Sequence, residues 1–274
     1  MSSSQTMDDT LAQSKLRRLQ LEKDAYRRSK WARIRNHAYM LIFLPLLLPV
    51  HLCLLLFFFI FKERSFKWVY SYLRTYFSIY FFFGGVQHLS IFPPPSQKPT
   101  KPTLFFTTRN ADLISCFLPT LFSYPVSIPF QPKLYKFPIH FFFPFVRMGP
   151  FVDHLGYDDK PIHESLIDIH HCLKQGRPTI VFINPRVISP MFNETLPMYN
   201  DILELMDTSI DCYFLACKGL EAIKAGTLFY PSFVSTYCVS ATDLFDGIEK
   251  THFPEKEKYL RIMKFFDYQH MKLI

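Results

Sequence analysis

Two histidines are spaced so that they could carry out acid–base chemistry, because each precedes an aspartate by five positions. The pairs are His154 with Asp159 and His163 with Asp168. An imidazole oriented by a carboxylate can act as a general base that removes the proton of a hydroxyl group. His163 and Asp168 lie in a segment with a helical pattern, where a five-residue offset turns the second side chain about 140° away. His154 and Asp159 lie in a predicted strand-to-helix loop and are the better candidate pair.

Alternating strands and helices must position these side chains. The predicted strands are 103–108, 126–130, a strand that begins at 151, 178–183, 211–217 and 233–240. The predicted helices lie near 111–122 and over 161–174, 196–206 and 255–268. Pro161 in a first turn and Gly176 just after a last turn are typical of helix ends. This alternation predicts the α/β class, with a sheet flanked by helices.

An apolar segment precedes the predicted sheet. Residues 39–61 read YMLIFLPLLLPVHLCLLLFFFIF, without a single charged side chain. About 20 apolar residues cross a hydrocarbon core as a helix. Pro45 and Pro49 would bend such a helix, so a kinked span and a hairpin inserted from one face both remain open. Basic residues on both sides favour the hairpin; they are Arg33, Arg35, Lys62, Arg64 and Lys67.

Residues 66–92 are strongly aromatic and follow this segment directly. Their tryptophan and tyrosines are types that gather at membrane interfaces, and they are Trp68, Tyr70, Tyr72, Tyr76 and Tyr80. The pattern favours an interfacial helix. A helix buried in the domain is the alternative, and Arg74 argues against a second full span.

The positive charge of the chain lies beside the apolar segment. The net charge is +8, and residues 1–74 hold 13 Lys/Arg against 5 Asp/Glu, which leaves 18 of each for residues 75–274. This placement favours anionic lipid headgroups as partners and argues against nucleic acid. Residues 11–35 read as a basic helix near the membrane surface, whereas residues 1–10 could equally form a solvated tail.

Metal and nucleotide sites are not expected. The six cysteines form no CxxC and no Cys/His cluster, so reduced thiols with apolar surroundings are expected rather than zinc ligands. With only 8 glycines and no phosphate-binding glycine motif, a nucleotide cradle is not expected either. The sequence therefore predicts no metal and no cofactor.

Three sequence segments follow one another in the order and at the approximate separations of a known set of motifs. They are TLFFTTRNADLIS (103–115), PKLYKFPIHFFFPFVRMGPFVDH (132–154) and KQGRPTIVFINPRVIS (174–189), and LMDTSIDCYFLACKG (205–219) follows them. This order resembles the glycerolipid acyltransferase family, which contains the lysophosphatidate and glycerol-3-phosphate acyltransferases. The resemblance implies four regions: a basic tail (1–37), membrane and interfacial helices (38–92), a Pro-rich linker (93–102) and an acyltransferase-like α/β domain (103–274).

The resemblance also implies which positions should carry the chemistry. In the family a histidine acts as general base and an aspartate orients it. The family's histidine falls on Asn110 and its aspartate on Ser115, so the catalytic pair is replaced. The second-motif arginine falls next to His154. With one deletion, Arg186 falls on the third-motif arginine, which would bind phosphate.

The leading hypothesis is a degenerate, membrane-bound acyltransferase-fold protein of phospholipid or glycerolipid metabolism. It would act by binding membrane lipids or a membrane-protein partner. The first alternative is an active acyltransferase in which a displaced His154, with Asp159, is the base, Arg186 holds phosphate, and acyl-CoA or an acyl carrier thioester is the donor. The second is a structural membrane scaffold. An integral or monotopic protein with a cytosolic domain is expected, in the endoplasmic reticulum if the source is eukaryotic and in the inner membrane if it is bacterial.

Overall fold

The elements of the domain were assigned in a computed structural model. It describes residues 38, 49–50, 52–53, 56–57, 60–61, 66–108, 113–130, 151–153, 162–183, 209–220, 232–247, 257–258, 260–262 and 264–266. The helices are α1 (Phe66–Phe83), α2 (Ile114–Leu121), α3 (Ile162–Lys174) and α4 (Ala241–Leu244). The strands are β1 (Val86–Phe92), β2 (Thr103–Thr108), β3 (Ile128–Phe130), β4 (Phe151–Asp153), β5 (Thr179–Ile183), β6 (Asp211–Lys218) and β7 (Ser232–Ser240).

Five of these strands form one mixed sheet in the order β1-β7-β6-β2-β5. Strand β2 runs parallel to both β5 and β6, whereas β7 runs antiparallel to β6 and parallel to β1. Strands β3 and β4 pair in parallel as a separate two-stranded sheet. The prediction of an α/β sheet flanked by helices is confirmed, and the six predicted strands correspond to β2 through β7.

Helices cover both faces of the five-stranded sheet. Helices α1 and α2 pack on one face, over side chains that include Phe105, Phe182 and Leu215. On the other face, α3 and the helical residues within 257–266 pack over side chains that include Phe106 and Phe214. Strands β2 and β5 are buried along their whole length, because they lie between these two apolar layers. The predicted helices near 111–122, over 161–174 and over 255–268 are confirmed, and 196–206 lies outside the described residues.

Helix α1 contributes much of the first layer. Its buried side chains recur three and four positions apart, which is the spacing of one helix face; they are Phe66, Val69, Tyr70, Leu73, Tyr76, Phe77, Tyr80 and Phe81. Tyr70, Tyr76 and Tyr80 therefore belong to the core and not to a membrane interface. Trp68 is on the opposite side and is 66% exposed.

The Pro-rich residues 93–102 connect β1 with β2, so the segments on both sides of them are strands of the same sheet. Strand β1 lies at the edge of this sheet, and most of its side chains are exposed. Most of residues 39–61 lie outside the described part of the chain. Among the residues that are described, no helix has the length and apolar character needed to cross a bilayer.

Candidate functional site

The candidate site lies at the edge of the sheet where the three mutually parallel strands end. Thr108, the last residue of β2, pairs with Ile183, the last residue of β5, and Thr107 pairs with Leu215 of β6. Strand β6 extends three residues beyond Leu215 and ends at Lys218. Ligands of open α/β sheets bind outside the carboxyl ends of the strands. In the sequence, Asn110 follows β2 and Arg186 follows β5, so both belong to segments that start from this edge.

Four of the five predicted site residues lie outside the described residues: Asn110, His154, Asp159 and Arg186. The fifth, Ser115, is the second residue of α2. This is the first turn of the helix that follows β2, where the resemblance would place an aspartate. His163 and Asp168, the weaker pair, both lie in α3 as predicted.

The Ser115 hydroxyl group is used within the fold. Ser115 is 1% exposed, and its Oγ donates a hydrogen bond to the carbonyl oxygen of Pro129 at 2.6 Å. This bond ties the start of α2 to β3. A hydroxyl can donate to a carbonyl oxygen, but an ionised carboxylate cannot. The surroundings of Ser115 therefore suit a neutral donor and not the negative charge of an aspartate.

Helices α1 and α2 are held together by a second buried hydroxyl. Tyr70 Oη donates to the carbonyl oxygen of Pro119 at 3.3 Å, and burial raises the pKa of Tyr70 well above its usual range. The rings of Phe81 and Phe117 meet edge to face with centroids 5.3 Å apart. These contacts fix α2, and with it Ser115, against the sheet.

One buried hydroxyl near the carboxyl edge has no hydrogen-bond partner among the described residues. Thr107 Oγ1 is this group, and Thr107 is fully buried. Side chains alternate along a strand, so Thr107 shares its face with Phe105, the face covered by α1 and α2. A buried polar group of this kind is usually satisfied by a neighbouring group, water or ligand.

Two residues that the sequence patterns did not single out also lie toward this edge. Lys218 at the end of β6 is buried at 7% exposure, so an ammonium-bearing side chain starts from the same edge as the segments after β2 and β5. His88 in β1 bonds through Nε2 to Thr236 Oγ1 at 2.9 Å, and its ring meets Phe117 edge to face at 5.4 Å.

His88 lies too far from the end of β2 to act there as a general base. Strand β1 lies three positions from β2 in the sheet, and strands are about 4.8 Å apart, which separates the two backbones by about 14 Å. A general base must lie within hydrogen-bond reach of the proton that it removes. Partial burial lowers the pKa of His88 below its ordinary value of 6.5, so the ring stays neutral near neutral pH.

Within the described ranges, no group of three or more His, Cys, Asp or Glu side chains could hold a metal ion. The chain matches no protein-family model, no curated protein and no solved structure. The geometry and the sequence resemblance are therefore the basis for a functional proposal.

Proposed function

We propose that this chain is a membrane-bound protein of acyltransferase fold that binds a phospholipid or glycerolipid and does not esterify it. The single observation that carries the proposal is the hydrogen bond from Ser115 Oγ to the carbonyl oxygen of Pro129. It occupies the position that the resemblance assigns to the carboxylate of the catalytic pair. The mixed sheet, with β2 followed by α2, supports the same assignment.

Acyl transfer to a hydroxyl needs a base that removes the hydroxyl proton. The position of that base in the resemblance is Asn110, and an amide side chain does not accept a proton near neutral pH. Ser115 cannot supply the orienting negative charge, and its hydroxyl already donates to Pro129. Without both functions, the edge could still bind a lipid but would not activate its hydroxyl group.

One cationic side chain at this edge and one arginine in the sequence after β5 support a phosphate-bearing ligand. Arg186 is three residues beyond the end of β5, and a guanidinium binds phosphate in a bidentate manner. Lys218 ends β6 at the same edge. A lysophosphatidate or a related phospholipid combines the phosphate that these residues suit with an acyl chain that the aromatic residues of the domain suit.

Membrane attachment is supported by the residues that precede α1. The described residues 49–50, 52–53, 56–57 and 60 are helical, and Phe61 N donates to Phe57 O in the helical manner. Their large apolar side chains are exposed, and they are Val50, Leu52, Leu56, Phe57, Ile60 and Phe61. Exposed apolar side chains of this kind mark a membrane or protein contact, and the flanking basic charge favours the membrane.

A binding experiment tests this proposal. The full chain is reconstituted in phosphatidylcholine vesicles, and binding of labelled lysophosphatidate is compared with binding of the uncharged monoacylglycerol of the same chain length. We expect the phosphate to strengthen binding, and Arg186→Ala to weaken lysophosphatidate binding by about tenfold or more, as expected when a charged hydrogen bond is lost.

Arg177→Ala is the matched control. Arg177 lies two residues before β5, at the opposite edge of the sheet, and its guanidinium carbon lies 4.0 Å from the ring centroid of Phe66. This variant removes the same charge but should leave lysophosphatidate binding unchanged. Equal loss in both variants, or no preference for the phosphate-bearing lipid, contradicts the proposal. Formation of acylated product in the presence of acyl-CoA would instead support the active alternative.

A further inference from the structure

The outward side of α1 carries a second row of mostly apolar side chains, which lie outside the core or at its margin. Its residues follow one another at intervals of four, three, four and three positions, and they are Trp68, Tyr72, Thr75, Ile79 and Phe82. At 100° per residue they fall within about 80° of one another. We call this set the outer stripe.

The outer stripe is exposed at both ends. Trp68 is 66% and Phe82 is 58% exposed, and these two residues are 14 positions apart, which is about 21 Å along the helix axis. Thr75 is exposed, and Tyr72 and Ile79 are half-buried at the margin of the core. Helix α1 therefore has one apolar face that packs on the sheet and a second, narrower apolar face that is directed away from the sheet.

The ends of α1 lie at opposite edges of the sheet. Near its start, Phe66 contacts the guanidinium of Arg177, which precedes β5. Its end leads through Gly84 and Gly85 into β1, and β1 runs antiparallel to β2 and so begins at the edge where β2 ends. The Phe82 end of the outer stripe is thus at the same edge as the candidate site.

We propose that the outer stripe lies on the surface of a bilayer that contains anionic lipids, as a second membrane contact in addition to residues 39–61. This inference rests on the membrane attachment in the proposed function and deepens it. It places α1 along the headgroup region with the sheet above it. The carboxyl edge of β2, β5 and β6 then lies close to the lipid surface at the Phe82 end, where a lysophospholipid can enter sideways from the membrane.

Three observations favour a bilayer as the occupant. The excess positive charge of the chain falls in residues 1–74, and Lys67 is exposed beside the stripe, so the charge complements anionic headgroups. Trp68 and Tyr72 are types that favour the headgroup region. The described residues within 49–61, which precede α1 in the chain, are exposed and apolar, so they present a lipid-compatible surface of their own.

The test uses Trp68 as a reporter. The chain has two tryptophans, so Trp31→Phe leaves Trp68 alone. The full-length variant is reconstituted in vesicles of phosphatidylcholine with or without phosphatidylserine, and flotation first confirms that it is attached. We expect a blue-shifted Trp68 emission, loss of most of that emission with brominated phosphatidylcholine, and weak quenching by aqueous acrylamide. Phosphatidylserine should strengthen the bromolipid effect, and added salt should reverse that gain.

A matched pair of variants identifies the face. Thr75→Glu places a charge within the outer stripe, whereas Ser78→Glu places the same charge on the same helix but about 60° to one side. Both native residues are exposed. Thr75→Glu should sharply reduce bromolipid quenching and restore acrylamide quenching, and Ser78→Glu should leave both near the parent values.

The results that would contradict the proposed function differ from those that would contradict this inference. A chain that does not float with vesicles contradicts the membrane attachment in the proposed function itself. A chain that floats while Trp68 is quenched by acrylamide and not by bromolipid keeps the attachment but overturns the inference. Protection of Trp68 from both quenchers, dependent on protein concentration, would show that a second copy of the chain covers the stripe, and this result also overturns it.

Discussion

Ser115 Oγ lies 2.6 Å from the carbonyl oxygen of Pro129 and donates its proton to it. The bond is buried and joins residues 14 positions apart, between the first turn of α2 and the central residue of β3. The Ser115 hydroxyl group is therefore used to hold the start of α2 against β3.

The Ser115–Pro129 bond predicts a measurable loss of stability. Ser115→Ala leaves the Pro129 carbonyl buried without its donor, which should cost about 1–3 kcal/mol in the free energy of unfolding. Thermal unfolding followed by circular dichroism measures this cost. Ser123→Ala is the control, because Ser123 Oγ makes the same kind of bond to the Ser96 carbonyl oxygen at the surface and should change stability by less than about 0.5 kcal/mol. Equal effects of the two variants would contradict the structural role of Ser115.

An aspartate at position 115 should destabilise the fold. Ser115→Asp places a charge in a buried position against a carbonyl oxygen, and an uncompensated buried charge is strongly unfavourable. The variant should unfold at a lower temperature than Ser115→Ala, and lowering the pH should partly rescue it because the protonated acid can donate to Pro129 again. A Ser115→Asp variant as stable as the parent at neutral pH would show that the site accepts the family's aspartate.

Gly219, which directly follows β6, lies against β7 with no room for a side chain. A Cβ at this position would lie 2.1 Å from the Phe233 carbonyl oxygen, and the backbone has φ of +89°. Gly247 has a similar φ of +74°, but a Cβ there would meet nothing within 4 Å. Gly247→Ala should therefore cost only about 1–2 kcal/mol for the left-handed conformation, whereas Gly219→Ala should cost substantially more. Similar unfolding temperatures for the two variants would contradict the close approach of β6 and β7.

The lowered pKa of His88 predicts a dependence of stability on pH. Partial burial lowers the pKa of His88 in the folded state, so the unfolded chain binds a proton more readily than the folded chain. The stability that the neutral ring contributes is therefore present above about pH 6.5 and is lost as the pH falls through the folded pKa. The native chain should lose more stability than His88→Gln between about pH 7.5 and pH 5. Gln87→Ala, which changes an exposed residue of the same strand that does not titrate, is the control and should keep the full pH dependence of the parent.

The cysteines provide a test of membrane placement. Five are buried and only Cys53 is exposed, and burial raises the pKa of Cys212 and of Cys238 to about 12. In vesicles, a membrane-impermeant maleimide should therefore label none of the six quickly, because lipid covers Cys53 and the fold covers the others. An added Ser78→Cys thiol on the exposed side of α1 should react readily. Labelling of Cys53 at the rate of that added thiol would contradict insertion of residues 39–61.

The sequence patterns predicted most of the sheet but not its edge strand. Strands β2 and β5 are short runs rich in β-branched and aromatic residues, and each is preceded by a proline, which is typical of a strand. Strand β1, VQHLSIF, has no clean alternation because most of its side chains are exposed, with Val86 buried and Leu89 half-buried. It also directly follows an aromatic helix that resembled an interfacial segment.

The packing of α1 could not be predicted from the sequence pattern, because it depends on tertiary contacts. Tyr70 and Trp68 are equally typical of a membrane interface, yet Tyr70 bonds to Pro119 within the core and Trp68 is exposed. The sequence predicted a helix near residues 111–122 after β2, and the first turn of that helix contains Ser115. Its bond to Pro129 and the position of Lys218 at the same edge depend on strand order and register, which are not encoded in local spacing.

The release of free coenzyme A tests the central claim most directly. The full chain in vesicles is mixed with acyl-CoA and either lysophosphatidate or glycerol-3-phosphate, and the freed thiol is measured for the native chain and for His154→Ala. Because Asn110 and Ser115 stand at the two positions that the resemblance assigns to the catalytic pair, we expect both proteins to release no more thiol than empty vesicles do. Sustained release by the native chain that disappears in His154→Ala would contradict the account and identify His154 as a displaced base.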